Sequence, residues 1–167
     1  MAANTRRRLL VTGHDDQGRS CVASHTIIQG NEVPGRHGME LNVIWGGDAV
    51  MRYPDAGEKP RFETFFPPVN GFRMIEMYMP GKTFNEEGSP QETDDHAVVR
   101  DNKRPGMHRS ATIDTGYMVE GRIVLQLDKE EVTLSAGDVI VQSGTIHAWY
   151  NPFDEPARLI GFMAGAH

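Results

Sequence analysis

Short runs of alternating apolar and polar residues, broken every few positions by Gly, Pro, Asp or Asn, make up most of this chain. The apolar members are mainly Val, Ile, Met and aromatics, which suit a pleated, half-buried surface. The pattern predicts strands at Arg8–Thr12, Ser20–Ile28, Glu40–Trp45, Phe72–Tyr78, Arg109–Ile113 and Thr115–Glu120. Further strands are predicted at Ile123–Leu127, Glu131–Leu134, Val139–Gln142, His147–Tyr150 and Arg158–Ala164. No apolar period of 3.6 is sustained over about twelve residues, so little helix is expected. Asp15-Asp16-Gln17-Gly18 places Gly at a position suited to positive φ, and Asp128-Lys129-Glu130 is short enough to close a hairpin.

Two stretches interrupt the alternation. Asp55–Asn70 holds Pro60, Pro67 and Pro68 and reads as irregular chain wrapped on the outside. Gly81–Pro105 is long and begins acidic, and a loop of that length inside a compact domain invites a lid or subunit-contact role, or is a plain mobile excursion. From His108 onward strands and turns follow with few spare residues. Such strands must hide their edges by closing into a barrel or pairing two sheets. Gly121, Gly137, Gly144 and Gly161 are expected at turns or bends. The organisation expected is one all-β domain: N-terminal strands over 1–80 packing on or extending a barrel, a loop over 81–105, and a barrel core over 106–167.

Composition narrows the function classes. A formal charge of −6 over 167 residues argues against a general nucleic-acid or anionic-membrane binder. The one basic run, Arg6-Arg7-Arg8, reads as a solvated tail. No apolar run approaches the roughly eighteen residues of a membrane-spanning helix. The segment LLVTGHDD turns polar too soon for a signal peptide, so a cytoplasmic location is expected. Cys21 is the single cysteine, which removes disulfides and thiolate clusters; it is expected to be a buried small hydrophobe.

Alternation also says which side chains share a face. Gly106, His108, Ser110 and Thr112 fall on one side; Asp114, Gly116 and Met118 share a face after the bend; His147, Trp149 and Asn151 form a third set. If those faces meet inside a barrel, two imidazoles and a carboxylate converge in one cavity. That ligand set suits Fe(II), Mn(II), Ni(II) or Zn(II) and leaves positions open for water, O2 or substrate.

Residues 106–151 resemble the two motifs of the cupin fold, usually written G-x5-H-x-H-x3,4-E-x6-G and G-x5-P-x-G-x2-H-x3-N. The first reads GMHRSATIDTGYMVEG here, the second GDVIVQSGTIHAWYN. His108 falls on the motif's second histidine, Gly106 on its first, and Asp114 on its glutamate, one residue late. Gly144 and His147 keep the G-x2-H spacing and Asn151 closes H-x3-N, with Gln142 in place of proline. The core is similar to that of small single-domain cupins reading HRTxTIDY and GxHAWxN. The resemblance implies a double-stranded β-helix, or jelly roll, and a divalent metal held by His108, Asp114 and His147. It implies dioxygenase, isomerase, decarboxylase or epimerase chemistry, and a homodimer.

Three readings of this site stay open. In the first, His108, Asp114 and His147 hold a metal, with Trp149, Met118, Met107, Gly106 and Ser110 around an aromatic or polyketide-like substrate. In the second, the same three residues are metal-free acid–base groups for dehydration, cyclisation or epimerisation. In the third, the barrel binds a small ligand without turnover, and His108 and Asp114 are satisfied core polar groups. His14 is expected in solvent, His25 in a sheet, His37 in a Gly-rich loop and His167 at a mobile end. His96 is a distant substitute for the ligand that Gly106 lacks, while Glu92, Asp94 and Asp95 read as solvated charge.

Overall fold

A computed structural model of the chain describes residues 7–36, 38–59, 61–85, 98–101 and 103–167. His37, Pro60, Arg6, Glu92, Asp94, Asp95 and His96, and with them most of the expected lid, lie outside the described residues. Twelve strands follow in order: β1 Arg8–His14, β2 Ser20–Ile27, β3 Glu40–Gly47, β4 Phe72–Met79, β5 Val98–Arg100, β6 His108–Ser110, β7 Thr112–Glu120, β8 Arg122–Gln126, β9 Glu131–Ser135, β10 Val139–Ser143, β11 Ala148–Tyr150 and β12 Ala157–Gly165. No helix occurs among the described residues, and hence none long and apolar enough to cross a membrane.

Two layers face each other. One is a five-stranded antiparallel sheet in the order β10-β7-β12-β4-β3. The other combines β11-β8-β9 with the β5-β6 pair, joined where His108 and His147 form a bridge. This is the all-β jelly-roll arrangement expected, and β3 and β4 supply one side of the same sheet that holds β7 and β12. The β1–β2 hairpin forms a sheet of its own. It is tethered by His14 N–H to Asp55 O and by Arg7, which bonds Glu40 and the buried Glu76.

The core fills one end of the sandwich with Met77, Met79, Met118, Ile123, Leu134 and Leu159. Strand alternation divides β7 lengthwise: Thr112, Asp114, Gly116 and Met118 point inward, the first three at the polar end and Met118 in the core. On β4 the opposite face carries Glu76, a buried carboxylate held by Arg158, Arg7 and Asn42. The turns form as their chemistry requires. Asp15 accepts from Gln17 N–H and Arg19 N–H ahead of Gly18 at φ 73°, and Leu127 N–H closes on Glu130 O.

Three expectations change. β5 lies inside the long loop; three residues are too few for periodicity to reveal, and pairing with β6 creates the strand. Gly161 sits in the middle of β12 rather than at a bend, under Ile75, where a Cβ would meet the isoleucine at 3.1 Å. Cys21 is exposed, because β2 has no second layer over it.

Candidate functional site

A cavity of about 410 Å3 opens between the layers, and Met39, Met77 and Leu159 of the core cluster form part of its lining. That volume is in the range of small-molecule sites, roughly 300–1,000 Å3. Its apolar wall includes Met39, Leu41, Phe65, Phe66, Ile75 and Trp149. Its polar side gathers His108, Ser110, Asp114, Gln142, His147 and Asn85, with Arg36 and Arg100 beside them.

The two histidines are locked together. His108 N–H donates to His147 O at 2.9 Å and His147 N–H to His108 O at 2.8 Å. Their rings lie 4.5 Å apart, centroid to centroid, at 49°. His108 Nδ1–H donates to Gly106 O at 2.8 Å, and His147 Nδ1–H to Thr145 O at 2.9 Å. Both rings therefore carry the lone pair on Nε2. The Gln142 amide nitrogen lies 2.6 Å from His147 Nδ1 and 3.0 Å from Nε2. With the Nδ1 proton committed to Thr145, the amide donates to Nε2. Trp149 meets the His147 ring edge-on at 6.0 Å.

Electrostatics keep both rings neutral. Burial holds His147 down at about 4, reinforced by the His108 charge and opposed by the Thr145 hydrogen bond. Burial also lowers His108, against the Gly106 hydrogen bond and with help from the Arg100 and Arg36 cations. Asp114 moves the other way. Burial raises it, partly offset by a hydrogen bond from the Thr112 hydroxyl, and its Oδ1 is buried without a partner among the described residues. Ser110 and Thr112 share a hydrogen bond of 2.7 Å just ahead of it on the chain.

The structure thus brings His108, His147, Gly106, Ser110, Trp149 and Asp114 to one cavity. Met118 and Met107 do not line it; both are buried, Met118 because its position on β7 falls past the cavity floor. Asn151 is buried outside the cavity, donating to Met79 O and Glu155 O. His14 bonds Asp55 O at the surface, and His25 is exposed on β2.

The donor set fits a divalent metal only in part. Two neutral imidazoles with Nδ1–H tied to backbone carbonyls are set up as Nε2 ligands. Among the described residues, however, no three His, Cys, Asp or Glu side chains gather into a metal-holding group. Asp114 lines the cavity without joining the pair, and the Gln142 amide stands at His147 Nε2. The three-ligand set is therefore not assembled as these side chains stand.

Gln142 and Asn85, like Arg36 and Arg100, have no reading as site groups in the sequence. Gln142 was detectable: it lies two residues from Ile140 on the inward face of β10. Asn85 carries no periodic signal. It enters from the segment after β4 and fills the space beside Gly106, where a Cβ would come within 2.5 Å of its Cγ and Oδ1. Its Nδ2 donates to Trp149 O at 3.2 Å, and its Oδ1 is buried without a partner among the described residues. The position where the motif has a histidine is thus a glycine at φ 77° with an asparagine side chain packed over it.

An antiparallel sandwich with a histidine-bearing cavity between its layers is a fold of the jelly-roll class. The Cupin domain family matches residues 97–163, so this part of the chain carries a cupin domain. The chain is 45% identical over 49 residues to the oryzines biosynthesis cluster protein J of Aspergillus oryzae, a match covering 29% of this chain and 27% of that protein. It is 29% identical over 148 residues to the cupin-domain-containing oxidoreductase fogC of Aspergillus ruber, covering 84% of this chain and 62% of that protein. The chain therefore spans less than two-thirds of either relative. Among solved structures, a Cupin 2 conserved barrel domain protein from Salinispora arenicola is similar at TM-score 0.46 and 15% identity, over 81% of this chain and 82% of that one.

Proposed function

We propose that this chain is a small-molecule enzyme of the cupin type that moves protons at the His108–His147 pair on an aromatic, polyketide-like carbonyl compound. The observation that carries this reading is the opposed tuning of groups in one cavity: two imidazoles held neutral and a carboxyl group held toward its protonated form. Titratable groups whose surroundings drive them toward each other's range divide into a base and an acid. His108 Nε2 is the base, since Gly106 fixes its tautomer and no Gln142 amide stands on it. Asp114 supplies the acid, and Trp149, Phe65 and Phe66 bracket a planar body. Enolisation, dehydration, cyclisation and epimerisation all need this proton traffic.

The test is solvent-deuterium exchange into the α-position of 2-tetralone, followed by proton NMR. Exchange is expected to run on the order of 100-fold faster with the wild type than with His108→Ala. Equal rates for the two proteins, or no acceleration over buffer, would sink the reading.

A second reading is favoured by the Nε2 presentation of both imidazoles and by the orphaned oxygen of Asp114. Here His108, His147 and Asp114 hold Fe, Mn, Ni or Zn after Gln142 yields its contact, and the metal supplies Lewis-acid or O2 chemistry when bound. The oxidoreductase name of the Aspergillus ruber relative points the same way. Metal analysis of protein purified without chelator decides. Near-stoichiometric metal that vanishes in His147→Ala supports it, and none after anaerobic Fe(II) loading refutes it.

A further inference from the structure

Arg36 is a cation in an unusual position. It lies more than half buried on the loop between β2 and β3, and it lines the cavity that holds His108. Its guanidinium makes no hydrogen bond or ion pair with any described residue. Among the described residues, what acts on its charge is burial and a second cation, Arg100, and both oppose it. Arg100 reaches the same cavity from β5, where it is the cross-strand partner of His108, and it has an interaction of its own.

Burying a guanidinium without a counter-charge is costly, and a second cation beside it adds to the cost. The acidic groups on the cavity wall do not relieve it. Glu32 lines the wall and accepts from Gly38 N–H, and among the described residues neither it nor Asp114 forms an ion pair with Arg36. What Arg36 lacks, a ligand can bring. A guanidinium presents a planar fork that matches a carboxylate in two parallel hydrogen bonds, and such charge-assisted bonds are about twice as strong as neutral ones.

We propose that Arg36, with Arg100 beside it, is the anion-binding end of the cavity, and that the substrate is an aromatic carboxylate whose carboxylate lies next to His108. The apolar wall takes the ring system while the arginines fix its orientation. This inference rests on the cavity being the substrate site, but its test needs no turnover.

The probes are 2-naphthoate and its uncharged isostere 2-naphthamide, titrated by calorimetry. The wild type is expected to hold 2-naphthoate about tenfold tighter than 2-naphthamide. In Arg36→Gln that ratio should fall to within about twofold with naphthamide affinity unchanged, and Arg36→Lys should keep part of it. Should Arg36→Gln fail to fold, salt decides in the wild type: from about 0.05 to 0.5 M, naphthoate affinity should fall and naphthamide affinity should not. A preference that survives in Arg36→Gln, or a wild type that holds both probes equally or neither, overturns the proposal. Naphthoate binding through Arg36 without deuterium exchange would refute the reaction and keep the anion site. Exchange without the naphthoate preference would do the reverse.

Discussion

His108 and His147 are backbone partners across two sheets, exchanging hydrogen bonds at 2.9 and 2.8 Å while their rings lie 4.5 Å apart. One bridge therefore closes the barrel and builds the site, so the charge state of the rings is coupled to folding. Unfolded, these histidines protonate near 6.5; folded, His147 stays neutral down to about 4, and His108 is lowered as well. Their stabilising contribution is complete above the unfolded value and is lost as pH falls through the window between the two. Asp114, raised above 3.8, has the opposite sign: its contribution is present at low pH and lost as pH rises through its folded value. For His147 the linkage amounts to about 2 kcal/mol between pH 7 and pH 5. Denaturant unfolding at both pH values should show that loss in the wild type and a much smaller one in His147→Asn. An equal loss in both proteins would show that the ring is not the titrating group.

Legibility in the sequence followed locality. Strand alternation puts His108, Asp114 and His147 on inward faces, and in the structure all three line one cavity, Asp114 from one layer and the histidines from the other. Alternation gives the face and not the depth, which is why Met118, in phase with Asp114 and Gly116, belongs to the core. Cys21 is exposed where a buried thiol is expected, because β2 has strand composition but no covering layer. Asn85 and Arg36 come from irregular segments whose place in the cavity is set by tertiary packing. β5 is a strand only because β6 lies beside it.

The glycine at 106 and the asparagine at 85 are a matched pair. Gly106 has φ 77°, where any Cβ is strained, and that Cβ would come within 2.5 Å of Asn85 Cγ. Gly106→Ala should cost about 2–3 kcal/mol, of which roughly 1 kcal/mol is backbone strain and the rest overpacking. Combined with Asn85→Ala, only the overpacking part should be relieved. A double-mutant cycle in urea should thus return a favourable coupling of about 1 kcal/mol or more. Strict additivity would show that the two side chains do not compete for that space.

Met118 separates core from cavity. It is 0% exposed and packs in the core cluster without lining the site. Met118→Ala should lose about 2–5 kcal/mol of stability through the cavity it leaves. Trp149→Ala, which removes a wall residue, should weaken 2-naphthamide binding, whereas Met118→Ala should leave it within twofold of wild type by roughly the additivity expected of separate sites. Weaker naphthamide binding in a folded Met118→Ala protein would return Met118 to the site.

Gln142 decides how the imidazole pair treats a cation. Its amide N–H stands 3.0 Å from His147 Nε2, so it supplies a donor at the atom a metal would need. Gln142→Glu replaces that donor with an acceptor of nearly the same shape. Two neutral imidazoles and an adjacent carboxylate then form the three-donor set that a divalent ion needs, without calling on Asp114. Ni(II) or Zn(II) should bind this variant about tenfold tighter than the wild type or better, and His147→Ala in the same background should abolish the gain. In the absence of metal, the new carboxylate should pull the His147 pKa upward from about 4, visible in the ring proton resonances. Equal metal affinity in variant and wild type would mean that a group other than the Gln142 amide governs access to His147 Nε2.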